Sequence, residues 1–186
     1  EKTAHTFLKN LGTEEGSKVL AHLESRGLSR DTIKKFKLGY SLKQKDALLS
    51  AFRKEGVGSD AMKQSGLFID TKGGYMDRFR GRIMFSIPNS SGKIAAFAGR
   101  VFESDDTAKY VNSPETPIYN KSKILYGLHE TKQTIRESNS VIVVEGYLDF
   151  LQLYQSAIHN IVAVSGTAFT DQHALQLKRF CTNVNL

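Results

Sequence analysis

The stretch that most constrains the fold is an apolar run that ends in acidic residues. Val141-Ile142-Val143-Val144 is β-branched throughout and lacks polar alternation, which is typical of a parallel strand covered on both faces. Glu145, Gly146 and Asp149 follow directly. Because Gly146 permits a tight turn and residues 148–154 have the apolar spacing of a helix, the sequence predicts a strand, turn and helix of an α/β sheet.

Glu145 and Asp149 fall where open α/β sheets bind ligands, outside the carboxyl ends of the strands. Asp149 lies in the first turn of the predicted helix, so the two carboxylates are expected to be close enough to share a hard cation. The helix dipole also favours an acidic residue in a first turn, and a glutamate at a strand end is often only solvated. The residues alone leave both the metal or catalytic role and this structural role open.

The composition indicates a globular chain with a basic excess. Its 186 residues are 40% hydrophobic, which is enough to bury a core in one domain or two small ones. Lysine and arginine number 26 against 19 acidic residues, giving a net charge of +7. This charge favours an anionic partner, although a modest excess often serves only solubility.

Cys181 is the single cysteine, which excludes an internal disulfide and a cysteine-based zinc site within this chain. Such usage is consistent with a reducing cytoplasm. No run of about 18 apolar residues is present, so no membrane partner is expected. The start Glu1-Lys2-Thr3 resembles neither a signal peptide nor a natural initiation site, and we expect the chain to be a piece of a longer protein.

Short helices are predicted over residues 14–25, 31–36 and 44–54, from their apolar faces and from Ser29 as an N-cap. From Leu67 onward the spacing of apolar residues becomes that of strands. These helices are expected to be scaffold rather than active site.

Arginines alternate along a predicted strand over residues 78–87, which a turn at residues 88–92 returns as a second strand over residues 93–102. The arginines are Arg78, Arg80 and Arg82 on one side of the first strand, and Arg100 on the second. If these sides join, the guanidinium groups would grip the phosphates of a polyanion. The alternative is a solvated face with counter-charges from Asp105 and Asp106.

A loop rich in lysine and tyrosine is predicted over residues 109–116 and 119–123, because proline, serine and asparagine argue against a helix or a central strand. Lysines interleaved with tyrosines suit single-stranded nucleic acid, where the cation meets phosphate and the ring stacks on a base. The alternative for Tyr110 is that its ring packs in the core instead of stacking on a base. The candidate binding residues of this loop are Lys109, Tyr110, Asn112 and Lys121.

The strand-to-helix pattern repeats after the acidic residues. Residues 161–164 form a second predicted buried strand, followed by Ser165-Gly166-Thr167 and a helix over residues 170–180. Backbone N–H groups at Gly166 could serve a phosphate or merely close a turn. A third strand is predicted to begin at Asn183.

Five motifs occur in the order and approximate spacing of bacterial DNA primase, and from about His5 onward the chain resembles the RNA polymerase core of that family. The motifs are Arg78-Phe79-Arg80-Gly81-Arg82-Ile83-Met84-Phe85, Phe97-Ala98-Gly99-Arg100, Lys109-Tyr110-Val111-Asn112-Ser113-Pro114-Glu115-Thr116, Leu125-Tyr126-Gly127 and Glu145-Gly146-Tyr147-Leu148-Asp149. The last one also resembles the first motif of the Toprim domain, which primases share with topoisomerases and related nucleases.

The resemblance implies an α/β fold of a mixed α+β kind. A helical and β-hairpin N-terminal subdomain would be followed by the first part of a Toprim-like parallel α/β sheet. We predict the division at residues 1–127 and 128–186.

The resemblance also implies a DNA-dependent RNA polymerase that makes short primers on single-stranded DNA during replication from nucleoside triphosphates, by two-metal nucleotidyl transfer with Mg²⁺ or Mn²⁺. The residue matching Glu145 acts there in catalysis and binds magnesium, and the one matching Asp149 supports the same site. Basic residues associated with template or nucleotide binding match Arg78, Arg80, Arg82, Arg100, Lys109 and Lys121. The implied location is the bacterial cytoplasm, at the replication fork.

The chain departs from the family pattern in several places. An Asp-x-Asp pair after the third Toprim strand would fall just beyond Leu186, so the chain alone is expected not to catalyse. The family's zinc-binding domain and its domain for the replicative helicase are also absent, and zinc is expected only in the former. Ser86 and Ala98 stand where the family usually has proline and glycine. The alternatives are a module that only holds single-stranded nucleic acid, and another Toprim enzyme such as a nuclease or topoisomerase.

Overall fold

The computed structural model describes residues 1–103, 108–166 and 168–186. Three residues named above, Asp105, Asp106 and Thr167, lie outside these ranges. The helices are α1 (Lys2–Asn10), α2 (Glu14–Ser25), α3 (Arg30–Lys35), α4 (Ala47–Lys54), α5 (Ser59–Gln64), α6 (Leu128–Ser138), α7 (Tyr147–Gln155) and α8 (Asp171–Leu177), with a short 3-10 helix at Lys121–Lys123. The strands are β1 (Gly39–Ser41), β2 (Phe68–Thr71), β3 (Gly74–Asp77), β4 (Arg82–Pro88), β5 (Ile94–Val101), β6 (Tyr110–Asn112), β7 (Ser140–Val144), β8 (Ile161–Ala163) and β9 (Asn183–Asn185).

The early helices form largely where the sequence predicts them. α2 has the predicted bounds, and the Ser29 hydroxyl caps α3 by accepting the backbone N–H of Thr32. α4 begins at Ala47, three residues later than predicted. Its first N–H groups are satisfied from a distance, because the buried Asp77 carboxylate accepts those of Leu48 and Leu49 at 2.7 and 2.9 Å. In the described ranges no helix combines the length and apolar character of a bilayer span.

The predicted strand over residues 78–87 is wrong in its first four residues. β4 begins only at Arg82, after an irregular segment in which Gly81 has a φ of +60°. Glycine adopts this left-handed conformation at low cost, and it breaks the alternation of Arg78, Arg80 and Arg82. These three arginines therefore do not line one face of a strand. β4 itself is buried along nearly its whole length.

β4 is the second strand of an antiparallel sheet with the order β1-β4-β5-β6. Ile83 pairs with Arg100, and Arg82 pairs with Val101. Paired residues share a face and successive residues alternate, so Arg82 and Arg100 lie on opposite faces. The predicted joining of the two arginine sides is therefore wrong.

β6 occupies part of the stretch predicted to be loop. It is a three-residue edge strand that pairs antiparallel with β5, with Arg100 opposite Tyr110 and Ala98 opposite Asn112. Asparagine and proline nearby obscured this strand, because edge strands tolerate both. The pairing places Arg100, Tyr110 and Asn112 on one face of the sheet.

β2 and β3 pair as a two-stranded antiparallel sheet. The remaining sheet is parallel and has the order β8-β7-β9, as the α/β prediction requires. α7 connects β7 to β8, and α8 connects β8 to β9. Val141 and Val143 are buried in this sheet, at 0% and 8% exposure. The predicted third strand is confirmed at Asn183–Asn185.

Aromatic side chains join the two sheets in one continuous core. Tyr147, at the start of α7, stacks on Phe85 of β4 with ring centroids 4.9 Å apart. Edge contacts continue from Tyr147 to Tyr126, and from there to Phe150 and Phe36. This packing holds the carboxyl end of β7 against the face of β5 and β6. The division at residues 127 and 128 stays a prediction.

Candidate active site

A cleft of about 560 Å³ opens where the parallel sheet meets the antiparallel one. It lies at the carboxyl ends of β7 and β8, the edge at which α/β sheets bind their ligands. Seven of the ten residues predicted for the site line it. They are Arg100, Lys109, Tyr110, Asn112, Lys121, Glu145 and Asp149.

Two exposed carboxylates stand at one side of the cleft. Glu145 follows β7 directly, and Asp149 lies in the first turn of α7, as the sequence predicts. Gly146 between them has no side chain, and the Asp149 carboxylate lies over its α-carbon. Neither carboxylate has a hydrogen bond or an ion pair with any described residue. Their four oxygens are therefore available to a ligand.

The turn after β8 forms the floor next to these carboxylates. Ser165 donates its backbone N–H to the carbonyl oxygen of Glu145 at 3.0 Å. Ser165 and Gly166 have positive φ values of 59° and 80°, and for a serine this conformation is uncommon. Both residues line the cleft, so the chain holds a strained turn at the mouth of the parallel sheet.

Four cations occupy the other side of the cleft. Arg100 comes from β5, Lys109 precedes β6 and Lys121 begins the 3-10 helix. The fourth cation, Arg26, is the C-cap residue that follows α2 and was not predicted from the sequence. No side chain of the four makes a hydrogen bond or ion pair within the described part of the chain. Cations without internal partners are free to meet phosphate groups.

The positive charges of Arg26 and Arg100 affect the pKa of a neighbouring histidine, His22. His22 lies one turn before Arg26 on α2, with its ring 5.4 Å from that of Phe102. Burial, and next the positive charges of Arg100 and Arg26, lower the pKa of His22, while Glu103 opposes them. The pKa of His22 therefore depends in part on two of the four cations of the cleft.

Two tyrosines and an asparagine connect the cations to the carboxylates. Tyr110 is 38% exposed, and burial raises the pKa of its phenol. Tyr147 is buried and donates its hydroxyl hydrogen to Asn112 Oδ1 at 3.3 Å. The exposed part of Tyr110 leaves a ring face for stacking, whereas Tyr147 is a packing residue.

Two profiles of known protein families match this chain. The profile of the DNA primase catalytic core, N-terminal domain, matches residues 6–132, and that of the Toprim domain matches residues 139–185. The chain belongs to the DNA primase catalytic-core family. The predicted fold class and family resemblance are thereby confirmed.

Relatives and solved structures agree with this primase family. The chain is 39% identical over 168 residues to a DNA primase of Listeria monocytogenes, covering 90% of the chain and 27% of that protein. It superimposes on the RNA polymerase domain of Mycobacterium tuberculosis primase DnaG with a TM-score of 0.92 at 30% identity, covering 97% of this chain and 59% of that one. A DnaG primase catalytic domain bound to ssDNA gives a TM-score of 0.87 at 36% identity, covering 98% and 57%. The chain thus spans about 27% of the length of the curated primase.

Three arginines of the primase motifs lie outside the cleft, contrary to the expected phosphate-gripping face. Arg78 Nε donates to the carbonyl oxygen of Gly66 at 2.9 Å, and Arg80 donates to that of Asp77. Arg82 is only 3% exposed. Its Nη1 donates to the carbonyl oxygens of Gly99 and Ala108 at 3.2 and 2.9 Å. These arginines support the primase fold, and a role in binding stays an untested prediction for each.

The acidic side of this primase core meets part of the requirement for a divalent metal. Among the described residues, no cluster of three or more His, Cys, Asp or Glu side chains has the arrangement of a metal site. Two free carboxylates nevertheless fit Mg²⁺, which proteins often hold with one or two carboxylates, water and substrate phosphates. The donor set of Glu145 and Asp149 therefore suits a metal that the substrate helps to bind.

Proposed function

We propose that this chain forms the template-binding and acidic part of a DNA primase that joins nucleoside triphosphates into short RNA primers on single-stranded DNA. One observation carries the proposal: four cations and two carboxylates, none of which has a partner among the described residues, line the same cleft. A nucleic-acid strand can lie along the cations while its reacting end meets the carboxylates. The similar DnaG catalytic domain that was solved with bound ssDNA supports this choice of template.

The cations and Tyr110 would hold the template and the triphosphate. Arg26, Arg100, Lys109 and Lys121 are within one cleft, so successive phosphates of an extended strand can pair with them. The exposed face of Tyr110 offers a base a stacking surface. Such contacts are independent of base sequence, as copying any template requires.

Glu145 and Asp149 would act at the reacting end. In nucleotidyl transfer, a 3′-hydroxyl oxygen bonds to the α-phosphorus of the incoming nucleotide while the bond to pyrophosphate breaks. Glu145 would accept the hydroxyl proton or ligate Mg²⁺ or Mn²⁺, and Asp149 would hold the same cation. When bound, the metal neutralises phosphate charge and lowers the pKa of the attacking hydroxyl.

We further propose that this chain binds template but does not polymerise by itself. Glu145 and Asp149 are the two carboxylates of the cleft that would bind metal. The primase resemblance implies two further ligands, an Asp-x-Asp pair after the third strand of the parallel sheet. Zinc and the replicative helicase would be bound by other domains of a longer protein. That protein would act in the bacterial cytoplasm at the replication fork.

The decisive experiment is primer synthesis by a protein extended to the length of the curated primases. Glu145→Ala should lower synthesis of labelled RNA on a single-stranded template by at least about 100-fold, while the circular dichroism spectrum stays unchanged. Glu137→Ala is the matched control, because Glu137 is exposed on α6 and is not among the residues that line the cleft. Synthesis by Glu145→Ala at the rate of this control would refute the assigned role.

A nucleic-acid-binding module without catalysis is the second candidate, favoured by the presence of four cations against two carboxylates in the cleft. The chain as given should then bind labelled single-stranded DNA with strong salt dependence. If each of the four cations of the cleft neutralises one phosphate, log K should fall against log salt with a slope of about −2.8, at about 0.7 per phosphate. The match of residues 6–132 to a primase domain argues against a nuclease or topoisomerase.

A further inference from the structure

The Tyr147 hydroxyl makes one hydrogen bond across the junction of the two sheets. Tyr147 begins α7 beside Glu145, and its acceptor Asn112 ends the edge strand β6. The bond measures 3.3 Å from the phenol oxygen to Asn112 Oδ1. Tyr147 is only 3% exposed and its ring is stacked on Phe85, so the hydroxyl has a fixed position. Asn112 is only half-buried and lines the cleft.

The direction of this bond follows from the chemistry of the two groups. Burial raises the pKa of the Tyr147 phenol, although the nearby Ser165 side chain opposes the rise, so the phenol keeps its proton. A phenol is a good donor and a weak acceptor, because its lone pairs are conjugated with the ring, whereas an amide oxygen is a strong acceptor. The buried phenol therefore donates and the amide oxygen accepts. With its oxygen turned to Tyr147, Asn112 presents its NH₂ group at the other end, and no described residue accepts from that group.

We propose that Tyr147 is a positioning residue that fixes the Asn112 side-chain amide with its NH₂ group facing the cleft, where it donates to a phosphate oxygen. Without the phenol, the amide could rotate and present its oxygen, which repels a phosphate. The inference deepens the proposed function, since the same phosphate chemistry belongs to the template strand and to a nucleoside triphosphate. Tyr147 itself touches neither ligand in this arrangement.

The test compares two substitutions that each remove one buried tyrosine hydroxyl. Tyr147→Phe deletes the hydroxyl that contacts Asn112, and Tyr126→Phe deletes a buried hydroxyl to which no described residue makes a hydrogen bond. The probes are fluorescein-labelled dT15 in one arm and ATP with Mg²⁺ in the other. Tyr147→Phe should weaken binding about 5-fold in the arm whose phosphate Asn112 contacts, as expected for one lost hydrogen bond. Tyr126→Phe should bind like the wild type in both arms.

A double-mutant cycle separates positioning from a general structural effect. If Tyr147 acts through Asn112, Tyr147→Phe should have no effect in an Asn112→Ala background. The salt slope for dT15 should also equal that of the wild type, because no charge is removed. Equal losses from Tyr147→Phe with and without Asn112, or unchanged binding by Tyr147→Phe in both arms, would overturn the inference.

NMR of the Asn112 side-chain amide tests the positioning independently of any ligand. In ¹⁵N spectra, the Nδ2 cross-peaks of Asn112 should move in Tyr147→Phe and stay in place in Tyr126→Phe. Unmoved peaks in Tyr147→Phe would overturn the inference even if nucleic acid binds. If the wild type binds neither probe, the binding role of Asn112 and the proposed function both fall, while the peaks still report whether Tyr147 orients the amide.

Discussion

The carboxylate of Asp149 lies so close to Gly146 that a β-carbon at position 146 would stand 2.7 Å from Asp149 Oδ2. Real side chains do not tolerate this distance, so any larger residue would displace the carboxylate. The backbone itself has no need of glycine, because Gly146 has a φ of −114° and a ψ of 158°, which other residues adopt freely. Gly146 therefore makes room for Asp149, and the expected tight turn is not its reason.

The first prediction follows from this contact. Gly146→Ala should weaken Mn²⁺ binding at the carboxylates about 10-fold, because the added methyl group would displace the Asp149 carboxylate. Loss of a group that orients a metal ligand lowers the affinity by a similar factor. Stability should change by less than about 1 kcal/mol, since the backbone fits alanine. Electron paramagnetic resonance of free Mn²⁺ measures the affinity, and urea unfolding measures the stability.

Gly58→Ala is the matched control for this substitution. Gly58 is also the N-cap glycine of a helix and has a φ of −65°, and no described residue has an atom within 4 Å of a β-carbon added there. Equal Mn²⁺ affinities for Gly146→Ala and Gly58→Ala would contradict the proposed metal ligation by Asp149.

The second prediction concerns Arg82, which we expect to stabilise the fold. Its guanidinium is buried and donates to the carbonyl oxygens of Gly99 and Ala108, while its Cδ would stand 2.9 Å from a β-carbon at Gly99. Arg82→Ala should lower the free energy of unfolding by about 2–4 kcal/mol, because buried carbonyl groups lose a charged donor. Urea unfolding checks this value. The exposed Arg53→Ala should change little, and an Arg82→Ala protein as stable as that control would disprove the structural role.

Features of the fold that depend on neighbouring residues could be predicted from the sequence, whereas features that depend on packing between distant parts of the chain could not. The β7 strand, the first turn of α7 and α2 follow from apolar runs and capping residues that are adjacent in the chain. The prediction that Arg78, Arg80 and Arg82 share one face of a strand was wrong. Alternating spacing places residues on one face only where every residue has an extended backbone, and Gly81 has a left-handed one. A single glycine thus cancelled an otherwise regular alternation.

Arg26 shows the opposite limitation. A cation at the end of a helix is ordinary, since it favours the helix dipole, and Gly27 next to it marks only the helix end. Nothing local distinguishes it from other basic residues of the early helices. It enters the site because α2 packs against the residue that follows β5, where His22 contacts Phe102, and such contacts between distant parts of the chain cannot be deduced from spacing.

The third prediction is a pH dependence through His22. Its folded-state pKa lies below the ordinary value of 6.5, because of burial and then of Arg100 and Arg26, with Glu103 in opposition. Between these two pKa values the unfolded chain binds more protons, so stability should fall as pH drops below 6.5 and be constant above it with respect to this group. The unfolding free energy of wild type minus that of His22→Gln, measured from pH 5 to 8, should show this slope.

Ligand binding should move the same group in the opposite direction. Phosphates that neutralise Arg26 and Arg100 remove the repulsion of the imidazolium, so the pKa of His22 should rise when dT15 is bound. A proton NMR titration of the His22 Cε1–H signal measures the midpoint with and without dT15. An unchanged midpoint at saturating dT15 would mean that the strand does not approach these two arginines.

The fourth prediction tests which cations meet the template. The salt slope counts the phosphates that a protein neutralises, at about 0.7 per phosphate for single strands. Alanine at Arg26, Arg100, Lys109 or Lys121 should therefore reduce the magnitude of the dT15 slope by about 0.7 each, because each side chain is in the cleft and has no partner in the part of the chain that the structure describes. Lys63→Ala should leave the slope unchanged, since Lys63 is exposed on α5 and is not among the residues that line the cleft.

Arg78→Ala separates this arrangement from a binding face formed by the arginine motif. Arg78 Nε is engaged by the Gly66 carbonyl oxygen, and burial lowers the pKa of its guanidinium. The cleft arrangement requires a slope equal to that of the wild type, because no phosphate contact is lost. A loss of about 0.7 in Arg78→Ala together with none in Arg100→Ala would place the strand along the motif arginines and outside the cleft that Glu145 lines.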